Sequence, residues 1–479
     1  MKKRAWTGFM ICAIFIIILM KLVFVSPYVA TWDEVDYVLG LFEYDLWKMQ
    51  PHFPGYPLFI LTGMIIHQLF SSGDQSLALA NQIVYASASV PIYYLSRYFL
   101  DKSSSILVVL LIQTVPYASL ISSLPMSEGM ALGVMWWYIW AIFRFVNEQK
   151  GIEWPFLLFA VLLGVRLSYL PLGTGLVYLA YVEWKAKRPL TPLVYGMSVG
   201  VIGIGIWGSA LAANSGGIVS LYRLATGFTE GHFTEWGGAV NESTLGLARL
   251  STYMINIFWI GISSENLLLF MVFSSLVLYT INHLTNGKKD GFLPLLSLLF
   301  ISYFIWAFFA QNIEKARHIL PLVGLFSMFC SIIMLKEGRR LGRVLVITMV
   351  SAQFFVTCQL LWQAHKELPA VYQVKEFVES EYVQATVYTW EETRVFGYLE
   401  ADFTHKRMYT YEQFLGDARN EKGPILLTNH VIEGFIEQGV DITEHITEVK
   451  RFDSMSLRDP IYSTIVLYEW KNGGEGIER

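Results

Sequence analysis

The sequence predicts a polytopic α-helical membrane protein of about eleven transmembrane helices, followed by a small C-terminal α/β domain. Three observations predict it. The 479 residues are 54% hydrophobic and 15% charged, whereas soluble domains average about 45–50% apolar and about 25% charged. Apolar runs near bilayer length, roughly 17–25 residues, recur as far as Trp362. From about Gln363 those runs stop and charge rises.

The first element, MKKRAWTGFMICAIFIIILMKLVFV, pairs a basic start with an apolar run. That run exceeds the roughly 7–15 residues of a cleavable signal, so it reads as a retained anchor with its basic end in the cytoplasm. The expected spans are 5–25, 76–97, 104–122, 128–146, 153–168, 170–184, 190–212, 264–284, 291–310, 318–335 and 343–363. The short pair 153–168 and 170–184 also fits a re-entrant hairpin, and 57–70 is placed at the interface. With the N-terminus inside, cytoplasmic connections hold sixteen Lys and Arg. The longer outer connections hold five: Lys48, Arg223, Arg249, Lys315 and Arg317. This asymmetry follows the positive-inside rule. Two outer loops are long, 26–75 and 213–263, and the second contains GHFTEWGG with His232 and Glu235.

Residues 1–363 thus form the expected membrane domain and 364–479 a soluble one, outside after an odd number of crossings. In the latter, β-rich runs (385–390, 407–411, 424–430, 463–470) alternate with helix-like ones (368–380, 391–401, 411–420, 431–439). Such alternation predicts a mainly parallel sheet. This C-terminal segment contains no G-x-G-x-x-G and no P-loop, so it is assigned no nucleotide. A net charge of −4 gives nucleic acid no electrostatic footprint. Cys12, Cys330 and Cys358 lie in apolar runs, which excludes a disulfide framework.

The chemistry concentrates in TWDEVDYVLGLFEYDLWKMQPHFPGYP, residues 31–57. Val35, Val38, Leu39, Phe42 and Leu46 fall at helical spacing, with Asp36, Glu43 and Lys48 off that face. This predicts an amphipathic helix lying in the interface. PHFPGYP then forms a rigid turn around Gly55. Asp33 and Glu34 are thereby held near the headgroups. A carboxylate there can act as a general base, ligate Mg²⁺ or Mn²⁺, or cap the following helix.

DEVDYVLGL followed by QPHFPGYPLF resembles the first outer loop of the GT-C glycosyltransferases, which take sugars from polyprenyl-phosphate carriers. The likeness is greatest to the bacterial branch related to protein O-mannosyltransferases and to the lipid A aminoarabinose transferase. Phe53 stands where that branch often has a proline. The resemblance implies a catalytic role for Asp33, with Glu34 supporting it. It also implies a role for Glu128, in LPMSEGMALG, as the acidic residue opening the fourth helix, and for Arg166, in LLGVRLSYLPLG, as the basic residue of the following hairpin. KARHILPLVG, 315–324, resembles the family's late basic motif, so Arg317 and His318, with Lys315, would meet the carrier phosphate. His52 and His232 are further candidates for contact with substrate. Null roles stand beside these: helix starts, snorkelling, lipid anchoring and aromatic packing.

The resulting expectation is an integral plasma-membrane glycosyltransferase of the cell envelope. It would move a sugar from a polyprenyl-phosphate-linked donor, with inversion, to an unidentified protein, lipid or cell-wall acceptor on the outer face. Membrane lipids are its other partners. No cofactor is required, and a divalent cation on Asp33 and Glu34 is an open alternative. A transporter or flippase of lipid-linked sugars, or a non-catalytic lipid-binding scaffold, is the rival class.

Overall fold

The computed structural model describes residues 2–70, 72–231, 246–284, 292–336 and 340–471. Contacts group the chain into two units: Met1–Pro27 with Tyr37–His365, and Tyr28–Asp36 with Lys366–Arg479.

The first unit is an apolar helical bundle. Among the described residues, six helices are long and apolar enough to cross a membrane, or eight spans if each of two bent pairs is one. The bent pairs are Lys102–Gln113 with Pro116–Ser122, at 58°, and Leu247–Ile262 with Leu267–Ile281, at 104°. Pro116 explains the first break, since it lacks the N–H that would continue the ladder. The other three expected crossings fall on shorter helices: Gly73–Ser87 running into Ser89–Arg97, Glu153–Val165, and Thr174–Lys185. All eleven apolar runs are therefore helical, but length and composition alone qualify only the longer ones.

Glu128–Glu148 and Ala316–Lys336 are the inner helices, each 78% buried, against 17% for Trp6–Val23 and Thr191–Asn214. Small residues let the backbones close. A Cβ on Gly133 would lie 2.5 Å from the Val84 carbonyl oxygen, so only glycine fits that approach. Asn81 then locks the helix start: its Nδ2 donates to the Leu124 carbonyl (2.9 Å) and to that of Met126, and its Oδ1 accepts from Met130 N (2.9 Å). That amide satisfies a donor which the first helical turn leaves open.

The second unit is a five-stranded sheet with flanking helices. Its strands are β1 (Thr386–Thr389), β2 (Thr404–Arg407), β3 (Ile425–Thr428), β4 (Ile446–Asp453) and β5 (Thr464–Trp470), in the order β2-β1-β3-β5-β4. β2, β1 and β3 are parallel, while β5 runs antiparallel to β3 and β4. Two strands differ from expectation. β4 (ITEVKRFD) is an edge strand rich in charge, so it carries no apolar signal. The run 407–411 supplies only the last residue of β2, because Thr410 caps the next helix, its Oγ1 accepting from Gln413 N at 3.2 Å. Phe414, Leu427, Phe435 and Trp470 centre one core.

Inside this unit His430 Nδ1 lies 2.6 Å from Glu392 Oε1, and its Nε2 lies 3.2 Å from the Ile461 carbonyl oxygen. Both partners only accept, so the imidazole donates from both nitrogens and is protonated. Burial works against both charges, yet each partner's hydrogen bond and charge outweigh it. His430 is held above its ordinary value and Glu392 below its own. The histidine contribution to stability is full below 6.5 and lost as pH rises through its raised value. The glutamate contribution is full above 4.5 and lost as pH falls through its lowered value. Amide-exchange protection of residues 425–437 is therefore expected to fall by about 1.5–3 kcal/mol as pH rises past the His430 transition. His430→Gln should flatten that profile.

Candidate functional site

Four of the expected residues meet in the membrane unit. Glu128 is the first residue of the inner helix Glu128–Glu148, where the helix dipole favours an anion. Arg166 sits where helix Glu153–Val165 stops. Its extended backbone (φ −156°, ψ 107°) precedes the 3₁₀ turn Leu167–Gly173 and aims the side chain inward. Arg317 and His318 lie in the 3₁₀ turn Ala316–Ile319 that opens Leu320–Lys336. Arg166 Nη2 and Arg317 Nε stand 3.1 and 3.0 Å from Glu128 Oε1. These are charge contacts whose angles fall outside hydrogen-bond geometry. All three side chains are buried, Glu128 to 1% exposure. Arg166 Nη1 donates to Ser127 Oγ at 2.7 Å, and its Nη2 is 3.1 Å from His318 Nδ1. A guanidinium can only donate, so that His318 nitrogen takes the acceptor role toward Arg166. Tyr303 Oη donates to the His318 carbonyl at 3.1 Å. Two guanidiniums thus converge on the Glu128 carboxylate.

The first-loop carboxylates belong to the other unit. Helix Trp32–Phe42 begins there, and Thr31 caps it, its Oγ1 accepting from Glu34 N at 3.3 Å. Glu34 Oε2 reaches back to Ala30 N at 2.6 Å. Asp33, half-buried in the first turn, is therefore not the cap. The helix is also not polar outside its apolar face, because Glu34 and Asp36 are 1% and 0% exposed. Each is matched by an arginine. Arg458 Nη2 is 3.1 Å from Glu34 Oε2 and donates to the Tyr28 carbonyl at 2.8 Å. Arg394 Nε donates to Asp36 Oδ1 at 2.9 Å. Burial pushes the Glu34 carboxyl up, while Arg458 and the Ala30 amide pull it back. Two ion pairs flank Asp33 and fix its segment.

His52 packs in the aromatic turn, with ring centroids 5.6 Å from Tyr37 and 5.9 Å from Phe228, and Nε2 3.3 Å from Tyr56 Oη. Gly55, with φ +87°, permits the turn, and Tyr44 Oη donates to its carbonyl at 2.7 Å. His232 and Glu235 lie outside the described residues. Arg458, Arg394 and Ser127 went unread: the arginines sit in a domain without motifs, and nothing local marks their distant partners. Among the described residues no three His, Cys, Asp or Glu gather as ligands.

Residues 52–207 match the family model of dolichyl-phosphate-mannose-protein mannosyltransferase. That stretch includes Glu128 and Arg166. No curated protein matches the chain. Its fold is that of ArnT from Cupriavidus metallidurans. The likeness to the structure bound to undecaprenyl phosphate has a TM-score of 0.57 at 12% identity, covering 96% of this chain and 98% of that one. The apo structure gives 0.59 at 11%, covering 98% of each. The fold is thus similar to that of ArnT, as the sequence resemblance implied, and the family model takes in the aromatic turn from His52 onward.

Arg458→Met leaves Glu34 buried without its counter-charge and is expected to destabilise the protein by about 3–5 kcal/mol. Adding Glu34→Gln should recover much of that loss. Thermal unfolding in detergent of the two single variants and the double one checks it; additive losses would show that the pair is not coupled.

Proposed function

We propose that this protein is an integral membrane glycosyltransferase that moves a sugar from a polyprenyl-phosphate carrier to an acceptor on the outer face of the plasma membrane. The observation that carries this reading is the buried cluster of Arg166 and Arg317 on Glu128. Intramembrane charge is costly and by default functional, and this cluster gathers two buried guanidiniums at one carboxylate oxygen. The leaving group of such a transfer is a lipid phosphate, whose charge grows as the sugar bond breaks. Preorganised guanidiniums stabilise that charge most strongly in a water-poor site. Glu128 then acts as a positioning residue holding both arginines. The bound carrier in the ArnT structure of the same fold supports a lipid-phosphate donor, and the positive-inside count supports the orientation.

Asp33 takes the role of general base. It accepts the proton of an acceptor hydroxyl or amine as the acceptor atom bonds to the sugar. The sugar–phosphate bond breaks and its electron pair stays on the carrier phosphate. A single in-line displacement of this kind inverts the anomeric carbon. The arginines supply the positive charge, so the reading requires no metal.

Radiolabelled polyprenyl-phosphate sugar in membranes tests it. Asp33→Asn should lower transfer by about 10²–10⁴-fold with carrier binding retained. Arg317→Gln should lower kcat by about 10²–10³-fold. Wild-type transfer matched by Asp33→Asn would instead favour a transporter or a scaffold.

A further inference from the structure

We propose that Arg407 of the α/β unit is the binding group for an oxyanion, phosphate or carboxylate, carried by the acceptor. The proposal deepens the glycosyltransferase reading and rests on it for the word acceptor.

Arg407 ends the edge strand β2. Side chains alternate along a strand. Lys406 pairs with Asp417 and Glu421, whereas His405, two positions before Arg407, meets Thr393 and Phe396. Arg407 shares the His405 side and enters an aromatic box. Its guanidinium carbon lies 4.7 Å from the Trp32 ring centroid, 4.5 Å from Trp390 and 4.8 Å from Tyr409. Three rings line the guanidinium, whose N–H groups donate within its own plane. Those N–H groups match two oxygens of a carboxylate or phosphate.

Two further observations point to an anionic ligand. Among the described residues, no side chain or carbonyl pairs with the Arg407 guanidinium. Other acids of this unit are matched elsewhere: Glu34 by Arg458, Asp36 by Arg394, Glu392 by His430, and Asp417 with Glu421 by Lys406. Arg407 Nε and Trp32 Nε1 are also both buried with no acceptor among the described residues. Two adjoining buried donors without acceptors are uncommon in folded proteins, and an oxyanion supplies acceptors for donors of this kind. Trp32 is the chain neighbour of Asp33. An anion held here lies beside the residue read as base, on the acceptor's side of the reaction.

Titration calorimetry on the full chain in detergent tests this with glycerol 3-phosphate, acetate, glycerol and undecaprenyl phosphate as probes. Glycerol 3-phosphate is expected to bind wild type and glycerol not to. Arg407→Gln should weaken the phosphate probe by at least about tenfold, and Arg407→Lys, which keeps the charge but not the planar edge, by less. Arg451→Gln, an exposed charge of β4, should leave it unchanged. Amide exchange across residues 404–407 verifies that the variants keep β2. Absence of binding to wild type, or equal binding to Arg407→Gln, overturns the proposal. So does a loss confined to undecaprenyl phosphate, which would assign the anion to the donor. A stronger response to acetate than to glycerol 3-phosphate would identify a carboxylate acceptor and uphold the site. Binding needs no turnover. Unchanged transfer in Asp33→Asn would therefore remove the glycosyltransferase reading while leaving the oxyanion site standing.

Discussion

A charge inside an apolar bundle persists only beside an opposite charge or a dense set of polar partners. In this protein that constraint converges on Glu128. The carboxylate stands at the start of one inner helix, and Arg317 stands in the turn that opens the other. Arg166 comes from the one place where the short helix Glu153–Val165 gives way to extended backbone. Three parts of the chain, far apart in sequence, are tied to a single carboxylate oxygen. Gly133 and Asn81 reinforce the arrangement, one by permitting close backbone approach and the other by satisfying the first helical turn. The cost of breaking any one pair keeps the guanidiniums preorganised, which electrostatic catalysis requires.

The same rule acts in the α/β unit through different partners. Glu34, Asp36 and Glu392 are buried there, and each meets Arg458, Arg394 or His430. Such pairs are weak evidence for net stability, since desolvation offsets much of the attraction. Their value is geometric. They fix residues 28–36 against the helix Glu392–Tyr398 and the connection between β4 and β5, more than 350 positions later in the chain, and they fix Asp33 with them. Thr31 provides the helix cap and relieves Asp33 of that duty. Arg407 is the exception in this balance, held by rings instead of an acid.

Much of this was legible in the sequence, for physical reasons. Bilayer thickness sets a length that no soluble helix needs, so all eleven apolar runs could be read and all are helical. The composition shift near Gln363 marked the onset of the sheet-bearing segment. Asp33 and Arg166 stand out as charges at or within membrane depth, and Glu128 and Arg317 could be singled out through the resemblance of their motifs to those of the family. The tertiary structure decided what those charges touch. Which helices are inner was not legible, since a membrane helix is apolar all round and shows no face. The assignment of residues 28–36 to the α/β unit, the contact of His318 with Arg166 and the pairing of Glu34 and Asp36 each depend on a partner remote in sequence. Electrostatic pairing depends on distance in space, and only the folded chain supplies that distance.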